Sequence, residues 1–168
     1  MAGPLAQMIT VNINVTIGIL SLRMMPGVSM LEDGILHHVA IAVKSLDKAE
    51  KIYTDLGLKF TAKREVVSDQ FVTTSFAKIA DNAHLELLEP LAGEGPIQKF
   101  LDKKGEGLHH LCFRVEDIAK KSLALKEQGH TLLYAEAKVG AHNCLVNFIH
   151  PKSTGGVLIE ISQTQERQ

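Results

Sequence analysis

From Ile35 onward, apolar and polar positions follow a repeating order of periods. Leu36 to Val43 is an apolar strand, and Ser45 then stands where a helix N-cap belongs, ahead of the segment DKAEKIYTDLG. Leu46, Ala49, Ile52, Tyr53 and Leu56 recur there at helical spacing, so they share one face, and Gly57 supplies the stop. Lys59 to Val67, Phe71 to Ile79 and His84 to Leu88 read as three further strands, divided by the polar breaks Ser68-Asp69 and Asp81-Asn82. The pattern predicts a βαβββ unit. A Gly-rich bridge, Ala92-Gly93-Glu94-Gly95, leads into a short helix predicted over Pro96 to Asp102, and Lys103-Lys104-Gly105-Glu106-Gly107 closes the linker.

The pattern then restarts. Moving the chain by 72 positions lays LHHVAIAVKSLDKAEKIYTDLGLKF over LHHLCFRVEDIAKKSLALKEQGHTL without a gap, with Val43 on Val115 and Gly57 on Gly129. A register that survives a strand, a helix and a helix stop marks an internal duplication. Leu132 to Glu136, Asn143 to His150 and Val157 to Ser162 supply the remaining strands of the second copy. The organisation is therefore an N-terminal extension (1–34), a first βαβββ unit (35–91), a linker with a short helix (92–107), a second βαβββ unit (108–163) and a tail (164–168). Paired units of this kind set their sheets side by side around a shared concave surface.

Composition narrows the function classes. With 168 residues, 22% charged, 45% hydrophobic and a net charge of −1, the chain is a globular domain or two fused half-domains. It has no basic stripe to neutralise phosphates, which excludes an electrostatic nucleic-acid binder. Cys112 and Cys144, in LCFRV and NCLVNF, read as small buried hydrophobes and fit a reducing compartment. Residues 1–30 differ, with Arg23 as their only charge. Val11, Ile13, Val15, Ile17 and Ile19 alternate there with Asn12, Asn14, Thr16 and Gly18, a one-sided strand pattern too polar for a membrane span. An added edge strand and an organelle leader both fit.

The duplicated phrase carries chemistry. Leu36-His37-His38-Val39 and Leu108-His109-His110-Leu111 are each followed by a glutamate in an apolar strand: His38 precedes Glu86 by 48 positions, and His110 precedes Glu160 by 50. Neighbouring side chains on a strand point to opposite faces, so only one histidine of each pair can enter a common cavity. His38 shares its face with Ala40 and Ala42, whereas His37 shares the more apolar face that packs on the helix; by register, His110 is the partner of His38 and His109 goes to packing. A carboxylate in the middle of an apolar strand needs a partner to offset desolvation. Salt bridging gives no reason for His and Glu to recur in register, whereas two imidazoles and two carboxylates suit a first-row divalent ion with open positions. No cysteine sits at ligand spacing for a structural zinc, and no Rossmann or P-loop glycine motif suggests a nucleotide cofactor.

LHHVAIAV, HLELLEPL followed by GEGPIQKFL, KKGEGLHHLCFRVEDI and FIHPKSTGGVLIEI carry a family resemblance: from Leu36 to Gln163 the chain resembles the vicinal oxygen chelate superfamily and, within it, the methylmalonyl-CoA epimerase family. That resemblance implies an α+β fold in which tandem βαβββ units form a mixed, partly closed sheet around a metal-containing cavity. It implies one divalent metal ion held by His38, Glu86, His110 and Glu160, with Co or Mn favoured and Ni, Fe or Zn open. It also implies a small-molecule CoA thioester as substrate, a homodimer, no nucleic-acid or membrane partner, and α-proton abstraction through an enediolate. Inversion needs a base on each face. Some members carry a glutamate as one base where this chain has Thr74, and an unactivated hydroxyl cannot serve at neutral pH. The expected bases are therefore Glu160 first and Glu86 second, with a metal-bound hydroxide as an alternative for the second. Thr74, together with Lys152 and Ser153 in the turn His150 to Gly156, is expected at the substrate. His142 is expected on the surface. A cytoplasmic location is expected, or the mitochondrial matrix if residues 1–30 are a presequence. A glyoxalase I type lyase and a non-catalytic metal- or ligand-binding protein are the alternative functions.

Overall fold

The computed structural model describes residues 34–91 and 94–165. The alternating pattern of Val11 to Ile19, the leader reading of 1–30, and Ala92 and Gly93 of the linker lie outside the described residues. The first unit consists of β1 (Ile35–Ala42), α1 (Leu46–Asp55), β2 (Glu65–Val67), β3 (Val72–Lys78) and β4 (His84–Pro90). After α2 (Gly95–Lys104), the second comprises β5 (Gly107–Arg114), α3 (Ile118–Glu127), β6 (Lys138–Val139), β7 (Cys144–Ile149) and β8 (Leu158–Thr164). All eight strands join one sheet in the order β2-β3-β4-β1-β5-β8-β7-β6. Each unit closes on itself through a parallel pair, β1 with β4 and β5 with β8, and the antiparallel β1–β5 pair joins the units. The duplication therefore becomes a pseudo-twofold relation through the centre of the sheet.

Local chemistry fixes the helices. Ser45 Oγ accepts the Lys48 N–H and Asp117 Oδ1 the Lys120 N–H, satisfying donors that a first helical turn leaves open. A second device recurs in both units. Glu89 Oε2 on β4 accepts the Leu46 N–H at 2.7 Å, and Gln163 Oε1 on β8 accepts the Ile118 N–H at 2.9 Å. Each lies three residues after the glutamate of its strand, so the helix start is tied to the strand that carries Glu86 or Glu160. The outer sheet face packs on the helices, Val43, Leu46, Ala49, Leu85 and Leu87 in the first unit and Val115, Ile118, Leu125, Ile149, Ile159 and Ile161 in the second. Full burial of Leu46 or Leu87 contributes about 2–3 kcal/mol each. On the concave face, Ile97 and Leu101 of α2 pack against Ala40, Ala42, Val72 and Leu88. Among the described residues no helix is long and apolar enough to cross a membrane.

Four expectations are corrected. The strand expected over Lys59 to Val67 shrinks to Glu65–Val67, preceded by a single bridge between Phe60 and Ala77. Arg64 holds this segment to α1 instead, its guanidinium donating to Glu50 at 2.8 Å and to Asp47 at 2.6 Å. Leu132 to Glu136 is not a strand either. Asn147, buried in β7, accepts the Tyr134 N–H and donates to the Tyr134 carbonyl, so a side chain satisfies the backbone groups a ladder would have used. Ile52 and Leu56 continue the apolar spacing of α1 but are 59% and 74% exposed, and the packing on the sheet comes from Leu46, Ala49 and Tyr53. Finally, α2 is longer at both ends than Pro96 to Asp102.

Candidate metal centre

Strand alternation and the sheet order place the site. His38 on β1 and His110 on β5 both point to the concave side, flanked by Glu86 on β4 and Glu160 on β8, and all four are at most 6% exposed. His38 Nε2 and His110 Nε2 are 3.1 Å apart. Glu86 Oε2 lies 3.1 Å from the former and 3.7 Å from the latter; Glu160 Oε2 lies 3.0 Å from His110 Nε2 and 3.9 Å from His38 Nε2. The two histidines thus sit centrally, with one carboxylate arriving from each flank.

This donor set fits a divalent ion. Burial, then the neighbouring His110 and His37 rings, lower the His38 pKa to about 2, so the imidazole keeps a lone pair for a cation. Burial and the negative charges of Glu160 and Glu65 push the Glu86 carboxyl well above its usual range. Every one of those influences opposes ionisation, and a bound cation would reverse that balance. His38, Glu86 and His110 offer ligand atoms all within 4.8 Å of one another, and Glu160 reaches the same nitrogens.

The centre forms one wall of a cavity of about 190 Å³. Val72, Phe76, Leu88, Val146, Phe148 and Leu158 make the lining largely apolar. Thr74 also lines it; the residue is 2% exposed and its Oγ1 has no hydrogen-bond partner among the described residues. Lys152 and Ser153 are not among the lining residues. Lys152 is exposed, and Ser153 Oγ accepts the Thr131 N–H at 3.1 Å, which uses the hydroxyl within the fold.

One further expectation is corrected. His37 and His109 are not confined to packing, since both reach the cavity rim. His37 Nδ1 lies 3.0 Å from His38 Nδ1, and His109 Nδ1 lies 2.8 Å from His110 Nδ1, which leaves the Nε2 atoms of the inner pair facing each other. Arg114 donates to His37 Nε2, and Phe100 packs edge-on against His109. Burial lowers both outer rings, His37 to about 4 and His109 to about 3, so neither competes as a cation. The signal was the doublet itself, repeated in both halves. His142 is exposed, as expected of a surface residue, and its ring also lies 4.6 Å from the Phe76 ring and borders the cavity, while its N–H donates to the Glu65 carboxylate at 3.0 Å. Distance in sequence hid that contact.

A family model described as Glyoxalase/Bleomycin resistance protein/Dioxygenase superfamily matches residues 37–148. The mitochondrial methylmalonyl-CoA epimerase of Mus musculus is 40% identical over 131 residues, 77% of this chain and 73% of that protein. The ethylmalonyl-CoA/methylmalonyl-CoA epimerase of Cereibacter sphaeroides is 42% identical over 133 residues, 77% of this chain and 98% of that protein. Among solved structures, a single-residue variant of the Streptomyces coelicolor methylmalonyl-CoA epimerase in complex with 2-nitronate-propionyl-CoA superposes with a TM-score of 0.75 at 30% identity, covering 81% of this chain and 98% of that one.

Proposed function

The chain belongs to the glyoxalase/bleomycin resistance protein/dioxygenase superfamily, in its methylmalonyl-CoA epimerase branch, and from that premise we propose that it interconverts the two epimers of methylmalonyl-CoA. The observation that carries the reading is the convergence of His38, Glu86, His110 and Glu160 at the wall of a largely apolar cavity. Those four side chains would hold one divalent ion, Co²⁺ or Mn²⁺ before Ni²⁺, Fe²⁺ or Zn²⁺. When bound there, the ion supplies Lewis-acid compensation for the negative charge that develops on the thioester and carboxylate oxygens.

The remaining work falls to the chain. The apolar walls exclude water around the acidic α-carbon, which strengthens every charge interaction inside. Glu86 and Glu160 stand on strands to either side of the histidine pair, so one carboxylate can take the α-proton while the other face is served from the opposite flank. The proton leaves carbon for one carboxylate, a proton returns to the other face, and no electrons are gained or lost. Thr74 Oγ1, which lines the cavity without a partner among the described residues, would donate to a substrate carboxylate oxygen. A homodimer belongs to this reading, supported by the exposed Ile52 on α1 and Leu56 at its C-cap. So does a cytoplasmic location, with the mitochondrial matrix as the alternative suggested by the mouse relative.

Incubating Co- or Mn-loaded protein with a single methylmalonyl-CoA epimer in deuterated water tests the activity. Deuterium should appear at the α-carbon as the epimers equilibrate. Absence of exchange with both metals would exclude the epimerase assignment.

A further inference from the structure

The two halves of the centre match at the first layer and differ at the next. Directly behind Glu160, Cys112 Sγ lies 3.4 Å from Glu160 Oε1 and 3.2 Å from Ser162 Oγ. Both residues are buried, Cys112 fully, and both belong to the inward face: Cys112 sits two residues beyond His110 on β5, and Ser162 two beyond Glu160 on β8. Cys112 is also the β5 residue paired in register with Glu160 across the parallel β5–β8 ladder. An ionised carboxylate only accepts hydrogen bonds, so the single S–H points to Oε1 and the Ser162 hydroxyl faces the sulfur as donor. The chain Ser162 O–H, Cys112 S–H, Glu160 Oε1 leaves Oε2 as the oxygen turned to the His110 and His38 nitrogens.

In the first unit the equivalent layer is apolar. Position 112 − 72 is Ala40, and the residue two beyond Glu86 is Leu88; both belong to the hydrophobic cluster under α2. Glu86 therefore has no thiol or hydroxyl at the equivalent positions, while Glu160 has both.

We propose that Cys112, backed by Ser162, is a positioning residue that fixes the Glu160 carboxylate with one oxygen toward the metal, making Glu160 the anchored and Glu86 the less constrained acidic ligand of a pseudo-symmetric site. The assignment rests on His38, Glu86, His110 and Glu160 being the metal ligands. Its rival is direct ligation, because Cys112 Sγ is also within 4.8 Å of ligand nitrogens of His37 and His38. A donor role and a ligand role predict different spectra and different rescue.

The test measures Co²⁺ affinity by titration calorimetry and the visible and near-ultraviolet spectrum of the Co²⁺ protein, for the wild type and for Cys112→Ala, Cys112→Ser and Ser162→Ala. Thermal melts of each variant confirm folding. The expected result is a loss of Co²⁺ affinity of about tenfold in Cys112→Ala. Recovery of most of it is expected in Cys112→Ser, whose hydroxyl can donate to the same oxygen, with a smaller loss in Ser162→Ala. Unchanged affinity in Cys112→Ala, or Cys112→Ser binding more weakly than Cys112→Ala, overturns the proposal in favour of packing alone. A sulfur-to-cobalt charge-transfer band in the wild type that vanishes in Cys112→Ala overturns it in favour of a ligand. If Cys112→Ala does not fold, the ranking of wild type, Cys112→Ser and Ser162→Ala decides, and equal affinities reject the role. A wild type that binds Co²⁺ in the expected order of variants but exchanges no α-proton refutes the epimerase reading and leaves this one standing; a wild type that takes up no divalent ion refutes both.

Discussion

Thr74 is the residue at which sequence and fold leave the most chemistry open. Its hydroxyl is buried without a partner among the described residues, and such a group costs about 1–3 kcal/mol relative to a satisfied one. A position optimised for stability alone would hold valine. Thr74→Val should therefore leave the protein at least as stable by urea denaturation, with a gain of about 1 kcal/mol, while kcat/KM for epimerisation falls by about tenfold, as losing one substrate hydrogen bond implies. A destabilised variant with unchanged kinetics would place the hydroxyl in the fold rather than at the substrate. His110→Ala addresses the other side of the cavity. It removes the Nε2 that lies near His38, Glu86 and Glu160 together, so metal content after gel filtration should drop to background and α-proton exchange should vanish with it. Full metal retention would remove His110 from the ligand set.

At the scale of elements, the parts legible in the sequence are those whose burial is periodic. His38, Ala40 and Ala42 are buried on β1 while their neighbours are not, and the same alternation places His110 and Cys112, so strand parity alone separated the inner histidines from the outer ones. The helix caps were legible because Ser45 and Asp117 act within one turn. What escaped were contacts between side chains and distant backbone or charge, which no local period records. Asn147 is one such case: it looks like a polar interruption of a strand, yet its amide serves Tyr134 N, Tyr134 O and Phe148 N. Asn147→Ala should cost about 3 kcal/mol in denaturant unfolding because buried backbone groups lose their partners. Arg64 is another, drawn to Glu50 and Asp47 on α1 rather than to the sheet. Its hydrogen bond holds the Glu50 carboxyl below the usual value of 4.5, so the pair stabilises the fold above that pH, and the contribution is lost as pH falls through the lower folded value. Because both side chains are partly exposed, Glu50→Gln should cost only about 0.5–1 kcal/mol at neutral pH, and the melting curves of variant and wild type should converge in acid. A difference that persists at the acid end would assign the loss to packing.

Across the whole molecule, the concave sheet has two edges, and they meet. Among the described residues β2 and β6 are the outermost strands, three and two residues long, and short edges offer little ladder for pairing with another chain. Just beyond β6, the His142 N–H donates to both oxygens of Glu65 on β2, and His142 Nε2 lies 3.4 Å from Oε2 of the same carboxylate. His142 and Asn143 hold φ values of 54° and 53°, a left-handed pair of non-glycine residues that the backbone does not favour by itself and that needs an external hold. The clasp thus links two halves 77 positions apart across the cavity, with the His142 ring tilted against Phe76 and Phe76 edge-on to His38. Glu65→Ala removes the hold without touching the central strands. Amide hydrogen exchange should accelerate at residues 140–143 and stay unchanged in β1 and β5. Global stability should fall by no more than about 1 kcal/mol, because the pair is partly exposed. KM for the thioester should rise several-fold with kcat nearly preserved, since the wall that closes on the acyl group loosens while the residues around His38 and His110 stay in place. Unaltered exchange at residues 140–143 would mean that the loop keeps its shape without Glu65, and that the cavity is closed by the sheet's curvature alone.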